Sequence, residues 1–182
     1  MKVHKHFQAV LGLALSLALP GLFSVPASAL IEYTDGQRST MIELIDQLED
    51  RHYAKLEYND EFSSQHLDSY IDRLDGSKMF FLASDLEEFE QFRTVMDEQL
   101  PKGNLDAGFF IFNRFQERLE ARLEQVIANL PETVKSMDFT IDESSMLDVD
   151  EREWASSEAE LDDRWRKQLK NQVLSLKVAD KP

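Results

Sequence analysis

The chain has 182 residues, no cysteine, and 35 acidic against 20 basic side chains, a formal net charge of -15. Such a field repels phosphate backbones and anionic lipid surfaces, so nucleic-acid binding is excluded as a leading reading. Without cysteine there are no disulfide staples, thiol nucleophiles or thiolate metal sites, and the fold must stand on packing. A chain of this size buries about two-thirds of its unfolded surface, enough for one domain with a core.

Residues 1–29 read as a targeting signal. Lys2 and Lys5 make a basic start, Phe7 to Leu19 is almost wholly apolar, and Ala27-Ser28-Ala29 supplies the small residues of a cleavage site, so cleavage is expected after Ala29. The apolar run breaks at Pro20-Gly21, short of the roughly 20 residues that span a bilayer, and no membrane association is expected after cleavage. The leader carries two lysines and no acid, so its removal takes the formal charge to -17.

Residues 30–38 show no periodicity and are expected to be irregular, with a helical domain over 39–182. Thr40 with Glu43 offers a capping box for a first helix over Thr40 to Leu56, lined by Met41, Ile45, Leu48 and Leu56. The second is expected from Phe62-Ser63, Phe62 folding over Leu67 as a staple, through Tyr70, Ile71 and Leu74 to a left-handed stop at Gly76. Ser84 with Glu87 predicts the cap of a third helix, lined by Leu86, Phe89, Phe92, Met96 and Leu100 and ended by Pro101. Pro101, Gly103 and Asn104 make a turn. The fourth carries Phe109, Phe112, Phe115, Leu119, Leu123, Val126 and Leu130 on one stripe and is expected to close at Pro131, with Arg114, Arg118 and Arg122 as an outer charged row. Phe110 and Ile111 fall off that stripe and suggest a second packing surface. After an acidic stretch, Ser157 with Glu160 caps a fifth helix lined by Leu161, Trp165, Leu169, Val173 and Leu176. The fold class is therefore all-α, a single bundle of about five amphipathic helices.

Few residues suggest chemistry. His52 and His66 lack ligand spacing and read as packing residues. The acids Asp142, Glu143, Asp148, Asp150, Glu151 and Glu153 lack the alternation and central glycine of a calcium loop and read as a solvated segment. Neighbouring carboxylates such as Asp85, Glu87 and Glu88, or Asp162 and Asp163, are too common in so acidic a chain to mark an acid-base pair. No serine stands in Gly-x-Ser-x-Gly or Ser-x-x-Lys, and Gly36, Gly76, Gly103 and Gly108 are too scattered to cradle phosphate. Trp154 reads as a loop anchor, with a partner contact as the alternative. No catalytic, cofactor-binding or metal-binding residue is assigned, and no cofactor is expected.

The blocks His52-Tyr53, Leu67, Tyr70, Leu74-Asp75, Phe81-Leu82-Ala83-Ser84-Asp85, Met137-Asp138-Phe139, Trp154, Glu158-Ala159-Glu160-Leu161, Trp165 and Leu174-Ser175-Leu176-Lys177, in that order, resemble the N-terminal domain of tail-specific proteases. These are periplasmic serine proteases that process carboxyl termini. The resemblance implies a periplasmic address and a helical region that cradles a protease core and contacts substrates or an adaptor. Family members continue into a PDZ domain and a protease domain with a serine-lysine dyad, and no residue up to Pro182 matches either. The expectation is a truncated, non-catalytic scaffold, inactive alone, whose partners are the remaining protease domains, an adaptor or a substrate. The alternative is a free-standing exported helical protein that regulates a full-length protease.

Overall fold

The computed structural model describes residues 30–51, 58–146 and 148–179. Six α-helices follow in order: α1 (Asp35–Arg51), α2 (Asp60–Asp75), α3 (Ala83–Phe89), α4 (Met96–Gln99), α5 (Asp106–Ser136) and α6 (Glu158–Val178). Among the described residues there is no strand, only an isolated parallel bridge between Leu82 and Ala155. The all-α expectation holds, while several boundaries move for identifiable reasons.

Helix α1 begins at Asp35, inside the stretch expected to be irregular, because Thr34 and Gln37 form the capping box instead of Thr40 and Glu43. The Gln37 N-H donates to the Thr34 hydroxyl at 3.2 Å and the Thr34 N-H to the Gln37 side chain at 2.8 Å. Thr40 turns its hydroxyl back onto the Gly36 carbonyl. The expected far end of this helix, with His52, Tyr53 and Leu56, lies outside the described residues. Helix α2 is capped by Asn59, whose side chain accepts the Phe62 N-H at 2.9 Å, so Ser63 is released for a different task.

That task explains the largest departure. The buried Ser63 hydroxyl accepts the Met96 N-H at 3.0 Å. The helix expected from Ser84 to Leu100 is broken into α3, a 3-10 turn at Glu90–Phe92, the single turn α4, and a second 3-10 turn at Leu100–Lys102. Along this broken path Phe89, Met96 and Leu100 still reach one core, with Ile45, Leu67, Ile71, Phe81, Ala107 and Ile111. Helix α1 rests on the Leu100–Lys102 turn. Gly103 there has φ +69, and a Cβ on it would lie 2.5 Å from the Arg38 Cγ, so glycine is required by conformation and by contact.

Gly76 is not left-handed, since its φ is -59. The buried Asp75 carboxylate stops α2 in its place, accepting the N-H groups of Met79, Phe80 and Phe81 at 2.9, 2.8 and 2.9 Å, with the Ser77 hydroxyl at 3.2 Å. Glycine is still needed at position 76, where a Cβ would come within 2.7 Å of the Asp72 carbonyl oxygen. Pro131 lies inside α5 and does not end it. Helix α5 therefore has 31 residues, about 46 Å.

Candidate functional site

Three arginines at four-residue steps along α5 build the most highly connected polar network among the described residues. They are not the outer row that periodicity suggested. Arg118 grips the Asp85 carboxylate with two N-H groups, each at 3.0 Å, and Arg114 donates to the same carboxylate at 2.5 Å and to Glu88 at 2.8 Å. Arg118 also reaches Glu158 at 2.6 Å, while Arg122 meets Glu158 at 2.9 Å and Asp162. One row of guanidinium groups thus ties the start of α3 to the start of α6 through α5. Asp85 additionally accepts the Leu82 N-H at 2.9 Å, the capping role sequence reading gave to Ser84 and Glu87.

The Asp85 side chain is 1% exposed. Burial pushes its pKa up, but the hydrogen bonds from Arg118, the Leu82 amide and Arg114, with the Arg118 charge, outweigh this and hold it below the usual carboxylate range. A carboxylate with every oxygen committed to arginines and an amide serves as a joint and has no lone pair left for proton transfer.

Beside this joint, the segment 77–83 is pinned to the loop before α6 and to α6 itself. The Ala83 N-H donates to the Ala155 carbonyl at 2.8 Å, Arg152 to the Ser77 carbonyl at 2.7 Å, and the Trp165 indole N-H to the Met79 carbonyl at 2.8 Å. Trp154 packs edge-on to Phe81 at 6.2 Å, with the Lys78 ammonium 5.7 Å over its ring, which makes it the loop anchor expected from sequence. Phe110 takes up the second surface with edge contacts to Phe92 and Phe89, and Ile111 is fully buried.

Helices α5 and α6 run in the same direction, as the pairs Arg118–Glu158 and Arg122–Asp162 require. The connection between them returns along α6 as a strap. Glu143 in the strap accepts from Arg166 at 2.5 Å and from Lys170, and the Lys177 ammonium lies 4.2 Å from the Phe139 ring. The hydrogen bonds from Arg166 and Lys170 pull the Glu143 carboxyl down to about 2. The acidic stretch is therefore held partly by ion pairs and is less freely solvated than its composition suggests. Among the described residues no group of three or more His, Asp or Glu side chains could hold a metal ion. His66 stacks on Phe62, and Asp85, Glu88, Glu143, Glu158 and Asp162 pair with cations.

Past Arg122, α5 leaves the main core, and its apolar stripe turns to solvent. Leu123, Ile127, Leu130 and Val134 are 40, 69, 38 and 37% exposed, so the expectation that Leu123 and Leu130 line a core face is overturned. Their steps of four, three and four make a row that a facing helix could fill. At the opposite end of the same row the N-terminal segment covers the helix. The Asn113 amide exchanges two hydrogen bonds with the Ile31 backbone, at 2.8 and 2.9 Å, and Tyr33 packs on Phe109.

The family described as the tail-specific protease N-terminal domain matches residues 44–182. The chain belongs to that family. Among curated relatives it is similar to the tail-specific protease of Haemophilus influenzae, with 30% identity over 163 residues; the match covers 89% of this chain and spans 22% of that relative's length.

Proposed function

We infer that this chain is a non-catalytic helical scaffold of a periplasmic tail-specific serine protease, which holds partner surfaces of the protease, a substrate or an adaptor in place. The observation that carries this reading is the Asp85 joint. The polar residues that converge in the fold's interior lock α3, α5 and α6 together, and they do so at the root of an α5 row that faces outward. That is the construction of a rigid support with an interaction face. The basic start, apolar run and Ala27-Ser28-Ala29 of residues 1–29 support export, with cleavage after Ala29. Among the described residues no helix is long and apolar enough to cross a membrane.

The test is a graft. This chain replaces the matching segment of the Haemophilus influenzae tail-specific protease, and cleavage of a peptide with an apolar carboxyl terminus is measured. The hybrid is expected to retain cleavage, and the chain alone to show none. Hydrolysis by the chain alone that one substitution within it abolishes, or a folded hybrid with no activity, would overturn the reading.

A further inference from the structure

We propose that residues 138–146 of the strap close reversibly over α6, with Glu143 as the latch and Arg166 and Lys170 as its catch, and that opening makes one continuous groove along α6. None of these residues is buried, and only Phe139 and Glu143 are half-buried. None belongs to either apolar core. Two clefts flank the strap. One, of about 460 Å³, lies between it, α5 and α6 and reaches Val126, Trp165 and Leu169. The other, of about 910 Å³, lies between the strap, α6 and the loop carrying Arg152. Ile141, Glu143 and Lys170 line both clefts and so form the partition between them. Fixed interiors are close-packed, whereas a segment with open space on both faces has few dispersion contacts to lose when it lifts.

What holds the strap is charge. Among the described residues, every hydrogen bond that reaches 138–146 from elsewhere in the chain comes from a cation. Arg166 donates to Glu143 at 3.1 and 2.5 Å, Lys170 to Glu143 and, at 3.5 Å, to the Ile141 carbonyl, and Arg152 to the Met146 carbonyl at 2.5 Å. The ammonium groups of Lys177 and Lys170 lie 4.2 and 6.0 Å from the Phe139 ring. Among the described residues no backbone hydrogen bond joins the strap to another element, in contrast to the Ala83–Ala155 bond beside it. The catch can also stand empty. Arg166 keeps Asp163 as a partner at 2.7 Å, and Lys170, 9% exposed while the strap is shut, gains water when it lifts. Opening therefore leaves neither cation both buried and unpaired, the condition that makes breaking an ion pair costly. The proposal stands on the strap alone and does not require the protease reading.

The chain has no cysteine, so paired nitroxide labels can be placed without background. Ser145→Cys on the strap and Ala128→Cys on α5, both at exposed positions, report the strap by double electron–electron resonance. Ala128→Cys with Gln172→Cys on α6 reports whether the two helices themselves move. The parent is expected to show one main strap distance. Glu143→Gln is expected to shift the closed-to-open ratio by about tenfold or more toward open, because the shut state then keeps Lys170 buried without a carboxylate. The open population should lie about 5 Å or more from the closed one, well within the reach of a nine-residue segment. The helix pair should stay unchanged, and circular dichroism should match the parent, since no helical residue is altered. Ile141→Ser tests the rival cause. Ile141 is 57% exposed, so this variant is expected to stay shut. An unchanged strap distance in Glu143→Gln would overturn the proposal. So would opening of Ile141→Ser to the same extent, which would assign the hold to apolar contact, or an equal displacement of the helix pair, which would mean that α6 moves and the strap merely follows.

Discussion

Asp85 and Asp75 show how much of this fold rests on single carboxylates, each buried and each supplied with a full set of donors. They do different work. Asp75 accepts only uncharged donors, three backbone amides and a hydroxyl, and so shapes one loop. Asp85 takes two guanidinium groups from another helix, and so fixes tertiary geometry. Asp85→Ala is therefore expected to destabilise by about 3 kcal/mol or more, because it leaves Arg114 and Arg118 without their shared buried partner. Urea unfolding followed by circular dichroism measures this. Asp75→Ala should cost on the order of 3 kcal/mol for the amides left unpaired, with Asp75→Asn milder since one acceptor oxygen survives. The sequence shows neither role, because an aspartate next to a glycine or inside a Ser-Asp-Leu-Glu run is ordinary in so acidic a chain. The signal available for the joint was the Arg114, Arg118, Arg122 step, which fits a buried clamp as well as a solvated row.

Among the elements, α5 departs most from simple periodic reading. Its proline lies within the helix, and most of the residues beyond it, Val134 among them, are exposed. Proline in a helix interior removes one amide donor and crowds the carbonyl four residues back. Pro131→Ala is accordingly expected to raise protection of the amides around 127–136 in hydrogen exchange, a local gain of up to about 3 kcal/mol. Unchanged exchange there would show that the proline does not weaken this end of α5. Where α1 meets the Leu100–Lys102 turn, Gly103→Ala should lower stability by about 1–2 kcal/mol or more. The added methyl meets both a left-handed backbone and the Arg38 side chain. Helix starts were legible wherever a side chain cap stood alone, as at Ser157, whose hydroxyl accepts the Glu160 N-H. They were misplaced where two candidates competed, as with Asn59 against Ser63, because the choice depended on which hydroxyl another element needed.

For the molecule as a whole, ion pairs spread over α3, α5, α6 and the strap link stability to pH. Asp85 and Asp163 have pKa values below the usual aspartate range in the folded state, and the same holds for Glu90 and Glu160. Glu143 falls from 4.5 to about 2. A carboxyl whose folded pKa is depressed contributes stability above its unfolded value, and that contribution is lost as pH falls through the folded one. Helicity should thus hold from pH 7 to about 5 and decline between about 4 and 2, a midpoint above 5 contradicting the assignment. The amino-acid sequence by itself determined the helical class, the turn at Gly103 and the family, because helix periodicity, capping chemistry and residue order are local or linear properties. Only the tertiary structure decided which charges are interior and which apolar rows are left open. Arg118 and Ile127 sit on one helix as a charged and an apolar residue, yet the first is drawn inward by Asp85 while the second faces water. Burial depends on what other elements bring to each face, and no spacing along one chain records that.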